Sequence, residues 1–544
     1  MSEWSWHPEL LEGPTPGWSA SPPESVTGLD FLGTLSINLA MLGELTGVFN
    51  NTIVSARQHA IMCWACWRFQ ENHPAGTDGV SPEHFRAFLD AVETVQLVGR
   101  VWLSPDEPRG LGSNSAEHLG PGPDIPLRFT AYKRTHQTSA LAPALYGPSA
   151  KENGLDLLRS YQDVWVVTPR GAEIARKLDA LLKPAKAYSL FTQVVLPEHM
   201  ARADAEDLAR HGLTLDIPGA ARPERPDYIN ALFRLGALKT QSDHRPWTFA
   251  LLLELVRRLA TPEAGVTEAG IRDAFLSGKS EGAPALPAHL QPVAERWRIL
   301  QIRQLQRFAL EAWLALVEVC LDKGLGDVHA MAEKLFEGPG KSEGLPPLQS
   351  LLVQDAGSAR ARYAGASQPF ELVATIRKEL GGKWLAAVAP TLALTWLALD
   401  LTERHIPGEG PLHRFADMGA RERISLVSFS RWWKRRAQFP LSEVLKELMQ
   451  ELVLQQHVAV AVSRVNDGRS RLRLCNDERG WSLLADAPSR PRPTPDRVGA
   501  MLALLADLDL LLQEGDATHP FFRITPSGEQ LLERIEREAV TDMG

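Results

Sequence analysis

At 544 residues the chain exceeds what one hydrophobic core supports and should divide into several domains. With 44% hydrophobic and 23% charged residues it reads as a globular chain with large cores, not a disordered or fibrous one. A net charge of -8 excludes a molecule that is basic throughout, so any hold on a polyanion must come from a local patch.

The four cysteines (Cys63, Cys66, Cys320, Cys475) exclude a disulfide scaffold and fit a reducing, cytoplasmic compartment. The opening "MSEWSWHPELLEG" has no basic stretch leading into an apolar one, so no signal peptide is expected, and residues 1–28 read as an irregular leader. Helical spacing of apolar residues follows in "FLGTLSINLAMLGELTGVF" and "TIVSARQHAIMCWACWRFQEN". A third helix opens at "SPEHFRAFLDAVETVQLVG", with Ser81 as N-cap and Pro82 at the first helical position.

Residues 104–126 are dense in Gly, Pro and Ser and read as a long loop. A joint "WVVTPRGAEIARKL" (165–178) then closes a helical N-terminal region, 29–185. The middle domain, 186–345, contains "PWTFALLLELVRRLA" and a long helix over 292–324. In that helix Trp297, Leu300, Leu305, Phe308, Ala312, Leu316 and Val319 form one apolar stripe, and Gly324 sits at the C-cap. A helical region, 346–420, includes the uncharged run "WLAAVAPTLALTWLAL". That run is too short to span a bilayer and is interrupted by Pro390, so buried helix is expected and no membrane association.

The last region, 421–544, changes character. "RERISLVSFSRWWKRRAQFP" holds six Arg or Lys and one acid, and sets Arg431, Lys434, Arg435 and Arg436 around Trp432 and Trp433. Cations beside stacking surfaces suit a nucleic-acid backbone with exposed bases. "HVAVAVSRVNDGRSRLRLCNDERGWSLL" alternates and contains Asp467-Gly468, which predicts a hairpin. It would add Arg464 and, on one strand face, Arg469, Arg471 and Arg473, with Leu472 and Leu474 pointing the other way. Residues 421–497 hold 15 basic and nine acidic side chains. Lys133 and Arg134, in "LRFTAYKRTH", form a further basic spot.

Near the C-terminus "FRITPSGEQLLERI" (522–535) repeats the joint seen at 165–178. In each, a short β-type run meets Thr-Pro-x-Gly and then an amphipathic helix. The proline ends the strand, the glycine permits close approach and the threonine can cap the helix. With Leu504, Leu508, Leu510, Leu511, Phe522, Ile524, Thr525, Pro526 and Gly528, the second copy resembles the end of a bacterial winged-helix domain. Asp509 stands where that pattern has Gly. The first copy matches at Val166, Val167, Thr168, Pro169, Gly171, Ile174 and Leu178. The resemblance implies a mainly α, multi-domain fold, with winged-helix-like units near the N-terminal third and at the C-terminus. Residues 498–544 hold nine acids against three bases, which points that surface towards protein rather than DNA.

Motifs for chemistry fall short of their requirements. Neither "GKS" (278–280, 340–342) has the upstream glycine of a phosphate-binding loop: Asp273 and Leu335 stand there. Cys63 and Cys66 have zinc spacing, with His59 and His73 nearby, but no second pair follows, so core packing is the reading. His457 reads as a capping or core histidine.

"LDFLGTLSINL", "TIVSARQHAIMCWACW", "RFTAYKRTHQTSALAPALYG", "RWRILQIRQLQRFALEAWLAL" and "LQQHVAVAVSRV" resemble stretches of large bacterial accessory proteins encoded beside helicases and nucleases in antiphage-defence islands. This resemblance implies a non-catalytic, DNA-binding adaptor subunit that docks a helicase or nuclease partner. No catalytic residue, metal ligand or cofactor is expected. Two alternatives stay open. One is an enzyme (nuclease or effector) whose site is assembled from distant residues, and the other is a pure protein–protein scaffold.

Overall fold

The computed structural model describes residues 30–541 other than 74–81, 104–121, 128–145, 162–163, 216, 218, 237–243, 262–263, 278–284, 340–341, 366–367, 420–422, 464–471 and 517–518. Along the chain come α1 (Thr34–Thr46), α2 (Ala56–Glu71), α3 (Pro82–Leu103), β1 (Asp124–Pro126) and α4 (Gly147–Ala150). The hairpin β2 (Leu158–Tyr161) and β3 (Val164–Val167) leads into α5 (Pro169–Leu182). Next are β4 (His199–Ala201), α6 (Arg202–Arg210), α7 (Arg225–Phe233), α8 (Arg245–Leu259), β5 (Val266–Thr267) and α9 (Glu268–Ser277).

A helical stretch follows: α10 (Gln291–Asp322), α11 (Val328–Phe336), α12 (Leu348–Leu352), α13 (Ala356–Ala361), α14 (Pro369–Leu380), α15 (Val388–His405) and α16 (Pro411–Ala416). After α17 (Leu426–Arg435) and α18 (Leu441–Glu447), a π-helical segment (Leu448–Gln455) runs into α19 (Gln456–Ser463). The chain closes with β6 (Leu474–Asp477), β7 (Gly480–Leu483), α20 (Val498–Asp507), β8 (Leu511–Glu514), β9 (Phe521–Ile524) and α21 (Pro526–Thr541). The fold is mainly α, as composition and periodicity predict.

Internal contacts group the chain into two compact units that interleave in sequence. The first comprises Met1–Leu42, Phe275–Gly278 and Ala294–Thr494; the second comprises Gly43–Ala274, Lys279–Val293 and Pro495–Gly544. The first unit is built around α10. That helix is not the one-striped amphipath its sequence predicts. Val319 is only half-buried, whereas Gln301, Arg303, Gln306, Arg307, Glu311 and Glu318 are buried along with the apolar residues. A helix buried all round runs through a core rather than along its edge. Gly324 does terminate it, at φ +80, with the Leu325 N–H reaching back to the Cys320 carbonyl. The uncharged run over 384–399 becomes a 3-10 turn, Trp384–Ala387, and then α15, whose residues from Val388 to Leu399 are all buried. By length and composition the stretch Trp384–His405 could cross a membrane; within its unit it is core.

The predicted strand at "HVAVAVS" is instead α19, and a hairpin is formed by β6 and β7. Leu474 pairs with Leu483 and Asp477 with Gly480, around Glu478 and Arg479. Gly480 supplies the left-handed backbone at φ +98. In α19 Ala459, Val460 and Ala461 are buried and Val458 and Val462 half-buried, so apolar residues on every side of a helix read as period two in the sequence. Asp467-Gly468 lies outside the described residues.

The second unit carries both Thr-Pro-x-Gly joints. β2 and β3 form an antiparallel hairpin, and β1 pairs with β4. In the three-stranded sheet β9 lies between β5 and β8, with Val266 opposite Phe522 and Leu511 opposite Ile524. Segments some 250 residues apart therefore share one sheet. At both joints a Cβ added to the glycine would run into a carbonyl oxygen, that of Leu157 for Gly171 and that of Leu510 for Gly528. We expect Gly171→Ala or Gly528→Ala to cost about 1–3 kcal/mol. Gly408→Ala, where an added Cβ meets nothing, should stay within about 0.5 kcal/mol. Thermal unfolding of the three variants is the check, and equal melting temperatures would refute this account of the joint.

Candidate functional site

The two joints agree atom for atom. Thr168 caps α5: its hydroxyl accepts the Gly171 N–H at 3.1 Å and donates to the Asp156 carbonyl at 2.7 Å. Thr525 does the same for α21, accepting from Gly528 at 3.1 Å and donating to Asp509 at 2.8 Å. The Thr168 N–H meets the Leu157 carbonyl at 3.0 Å, and the Thr525 N–H meets that of Leu510 at 3.1 Å. Asp156 and Asp509 adopt left-handed backbone at φ 53 and 55. That conformation is why glycine is the usual residue in the pattern where Asp509 stands; Asp is among the few others that tolerate it.

The acids of the C-terminal joint are engaged within their own unit. The Asp507 carboxylate accepts two N–H bonds from Arg222, at 2.6 and 2.9 Å, and the Ala56 backbone N–H at 2.8 Å, so it caps the start of α2. Arg225 donates to the Leu508 and Asp509 carbonyls. Beside them Arg57 pairs with Glu224 in the interior. Neither the Arg222–Asp507 pair nor the Arg57–Glu224 pair was singled out from sequence, because each is joined across more than 160 residues.

In the first unit, α17 opens with a reciprocal Ser425–Ser428 capping box. It then turns Phe429, Trp432 and Trp433 inward, while Arg431, Lys434 and Arg435 face solvent. The two tryptophans are core residues rather than surfaces on which bases could stack. Trp432 donates to Glu451 at 2.7 Å and stacks on Phe429, and Trp433 meets Trp396 edge-on. Arg436 lies over the Trp432 ring at 4.3 Å and is clamped by Glu447 and by both oxygens of Glu451. Lys434 is 61% exposed, with the Glu403 carboxylate 3.8 Å away. At a helix C-terminus these cations also complement the macrodipole.

Arg473 is buried, not displayed on a strand face. It grips Glu318 with two N–H bonds, at 2.6 and 3.2 Å, and its guanidinium lies 4.7 Å from the Phe31 ring. Arg464, Arg469, Arg471, Lys133 and Arg134 lie outside the described residues. Of the expected basic surface, the structure therefore places Arg431, Lys434 and Arg435 together at the end of α17.

The residues weighed for other chemistry are core. Cys63 and Cys66 are buried in α2, where burial holds both thiols well above their ordinary pKa. Among the described residues no group of three His, Cys, Asp or Glu is placed to hold a metal ion. His59 bonds the Ser149 hydroxyl at 2.8 Å and the Tyr228 hydroxyl at 3.1 Å, and burial pulls its pKa down to about 3. His457 faces the Phe31 carbonyl with one ring nitrogen and accepts the Arg473 N–H with the other. Burial pulls it to about 4, the Arg473 charge adding to this and the Phe31 bond opposing it.

In an unfolded chain both histidines would take up protons near pH 6.5, whereas in the fold they stay neutral well below that. Stability should therefore fall as pH drops below about 6.5, and denaturant melts between pH 6.5 and 4.5 should show a shallower fall for His59→Gln. An unchanged slope would remove His59 as a source. Arg473→Ala leaves Glu318 buried and unpaired and should cost about 3–5 kcal/mol. Lys434→Ala should cost under about 1 kcal/mol, by the same melts.

In comparisons with family models, with curated proteins and with solved structures, none matches this chain.

Proposed function

We propose that the chain is a non-catalytic adaptor subunit of a bacterial DNA-transaction complex, with winged-helix-like units that pack on protein and a basic helix end that meets DNA. The observation that carries the reading is the doubled joint. Its C-terminal copy completes the order α8–β5–α9, then α20–β8–β9–α21, with β9 between β5 and β8. This arrangement supports a winged-helix unit whose two halves are separated in sequence. In such a unit the helix before the hairpin is the one that would enter a DNA groove. Here that helix is "VGAMLALLAD", which has no cation, so its role is packing on protein.

Phosphate contact falls instead to Arg431, Lys434 and Arg435 on α17. A helicase or nuclease as the docked partner, and antiphage defence as the setting, rest on the resemblance of the sequence to accessory proteins of defence islands. A pure scaffold is the second reading. It is favoured by the internal engagement of Trp432, Trp433, Arg436 and Arg473.

Fluorescence anisotropy with labelled single- and double-stranded DNA, between roughly 50 and 200 mM salt, separates the two readings. The adaptor reading expects salt-dependent binding. Combined Arg431→Ala, Lys434→Ala and Arg435→Ala should weaken binding and flatten the salt slope by about three. No binding by the parent chain selects the scaffold. Binding that the triple variant leaves intact moves the DNA surface elsewhere, and divalent-dependent cleavage would overturn the non-catalytic assignment.

A further inference from the structure

Helix α10 carries more buried polar groups than its own neighbours satisfy. Glu318 is accounted for by Arg473, and Arg307 by Glu311 at 2.7 Å, the Thr494 hydroxyl and the Arg492 carbonyl. Arg303 is different. It is 1% exposed; its Nη1 donates to Gln306, while among the described residues Nε and Nη2 have no hydrogen-bond partner. Those two N–H groups form the side-on edge of the guanidinium, whose parallel bonds match two oxygens of one carboxylate or phosphate. A buried guanidinium whose fork has no hydrogen-bond partner is costly, so an acceptor from outside the chain has an unmet demand to satisfy.

The charged groups around Arg303 are Arg307, Asp30 and Glu311. Asp30 uses one carboxylate oxygen for the Leu35 N–H at 2.7 Å and the other for the Ser36 N–H at 3.0 Å, at the start of α1. Glu311 is engaged by Arg307. Burial pushes the Glu311 carboxyl up to about 7, so near neutrality part of its negative charge is lost and the two arginines are left in excess. Among the described residues, Arg307 Nε, one turn on from Arg303, and Asn38 Oδ1 also lack a hydrogen-bond partner. Asn38 Nδ2 meets the same Thr494 hydroxyl that Arg307 does, which ties α1 to this part of α10. The spacing of Arg303, Arg307 and Glu311 puts all three on one helix face.

We propose that Arg303, with Arg307 beside it, is a binding site for a small oxyanion, a phosphate or carboxylate group held bidentate by the Arg303 fork. Either a free ion or the phosphate of a nucleotide presents that chemistry. The site is independent of any DNA contact on α17, and its test uses no nucleic acid.

The full chain is dialysed into phosphate-free buffer at pH 7. It is then titrated with inorganic phosphate, acetate or adenosine monophosphate, with chloride at matched ionic strength as reference, and read by calorimetry and thermal shift. Saturable binding of at least one probe beyond chloride is expected, and the probe that binds identifies the source. Arg303→Lys keeps the charge but loses the fork and should weaken binding roughly tenfold. Arg303→Met should abolish it. Should that variant not fold, Glu311→Gln serves instead: it removes the competing negative charge and should tighten binding. Chloride-like behaviour of all three probes overturns the proposal. So does binding that Arg303→Lys leaves unchanged, or a Glu311→Gln variant that binds no more tightly.

Discussion

The second unit depends on one carboxylate. Asp507, at the end of α20, accepts from Arg222 and from the first N–H of α2, a residue 451 positions earlier in the chain. It is only 17% exposed, so these bonds form where water competes weakly. Around it Arg57 with Glu224, and Arg225 with the Leu508 and Asp509 carbonyls, bind the same three segments together. Losing that carboxylate would leave a helix start uncapped and a nearly buried guanidinium without its partner. Both joints, and the sheet that joins β5 to β9, are parts of this one unit.

What was legible in the sequence is what is settled within a few residues. Thr525, Pro526 and Gly528 declare a capped helix after a strand, and Thr168, Pro169 and Gly171 declare the same. Gly324 announces the end of α10. The basic segment shows the opposite case. Trp432 and Trp433 stand next to Lys434, Arg435 and Arg436 in sequence, and adjacency suggested one mixed surface. Helical geometry separates them, because Phe429, Trp432 and Trp433 share a face three and four positions apart. Arg473 could not be placed from sequence, since what fixes it is Glu318, 155 residues away. The burial of α10 on all sides was equally hidden: arginines at 303 and 307 look like a solvated edge until the rest of the unit surrounds them.

In both units buried charges are closed by partners far away in sequence. In the second, the buried charges Arg57 and Asp507 find opposite charges or backbone partners on distant segments, which fixes how those segments meet. In the first, the ion pair Arg473–Glu318 closes in the same way, but Arg303 does not.

The sheet order β5–β9–β8 carries a consequence for the chain as it is made. β5 is synthesised some 250 residues before the strand that lies beside it, and the whole of α10 through β7 comes between. Until Ile524 has left the ribosome, β5 has an open edge and α2 lacks its capping carboxylate. Pairing at such sequence separation is slow, because a long loop must close before any contact repays it. Assembly of this unit is therefore the late step of biogenesis, and its half-built edge is what a chaperone would have to shield.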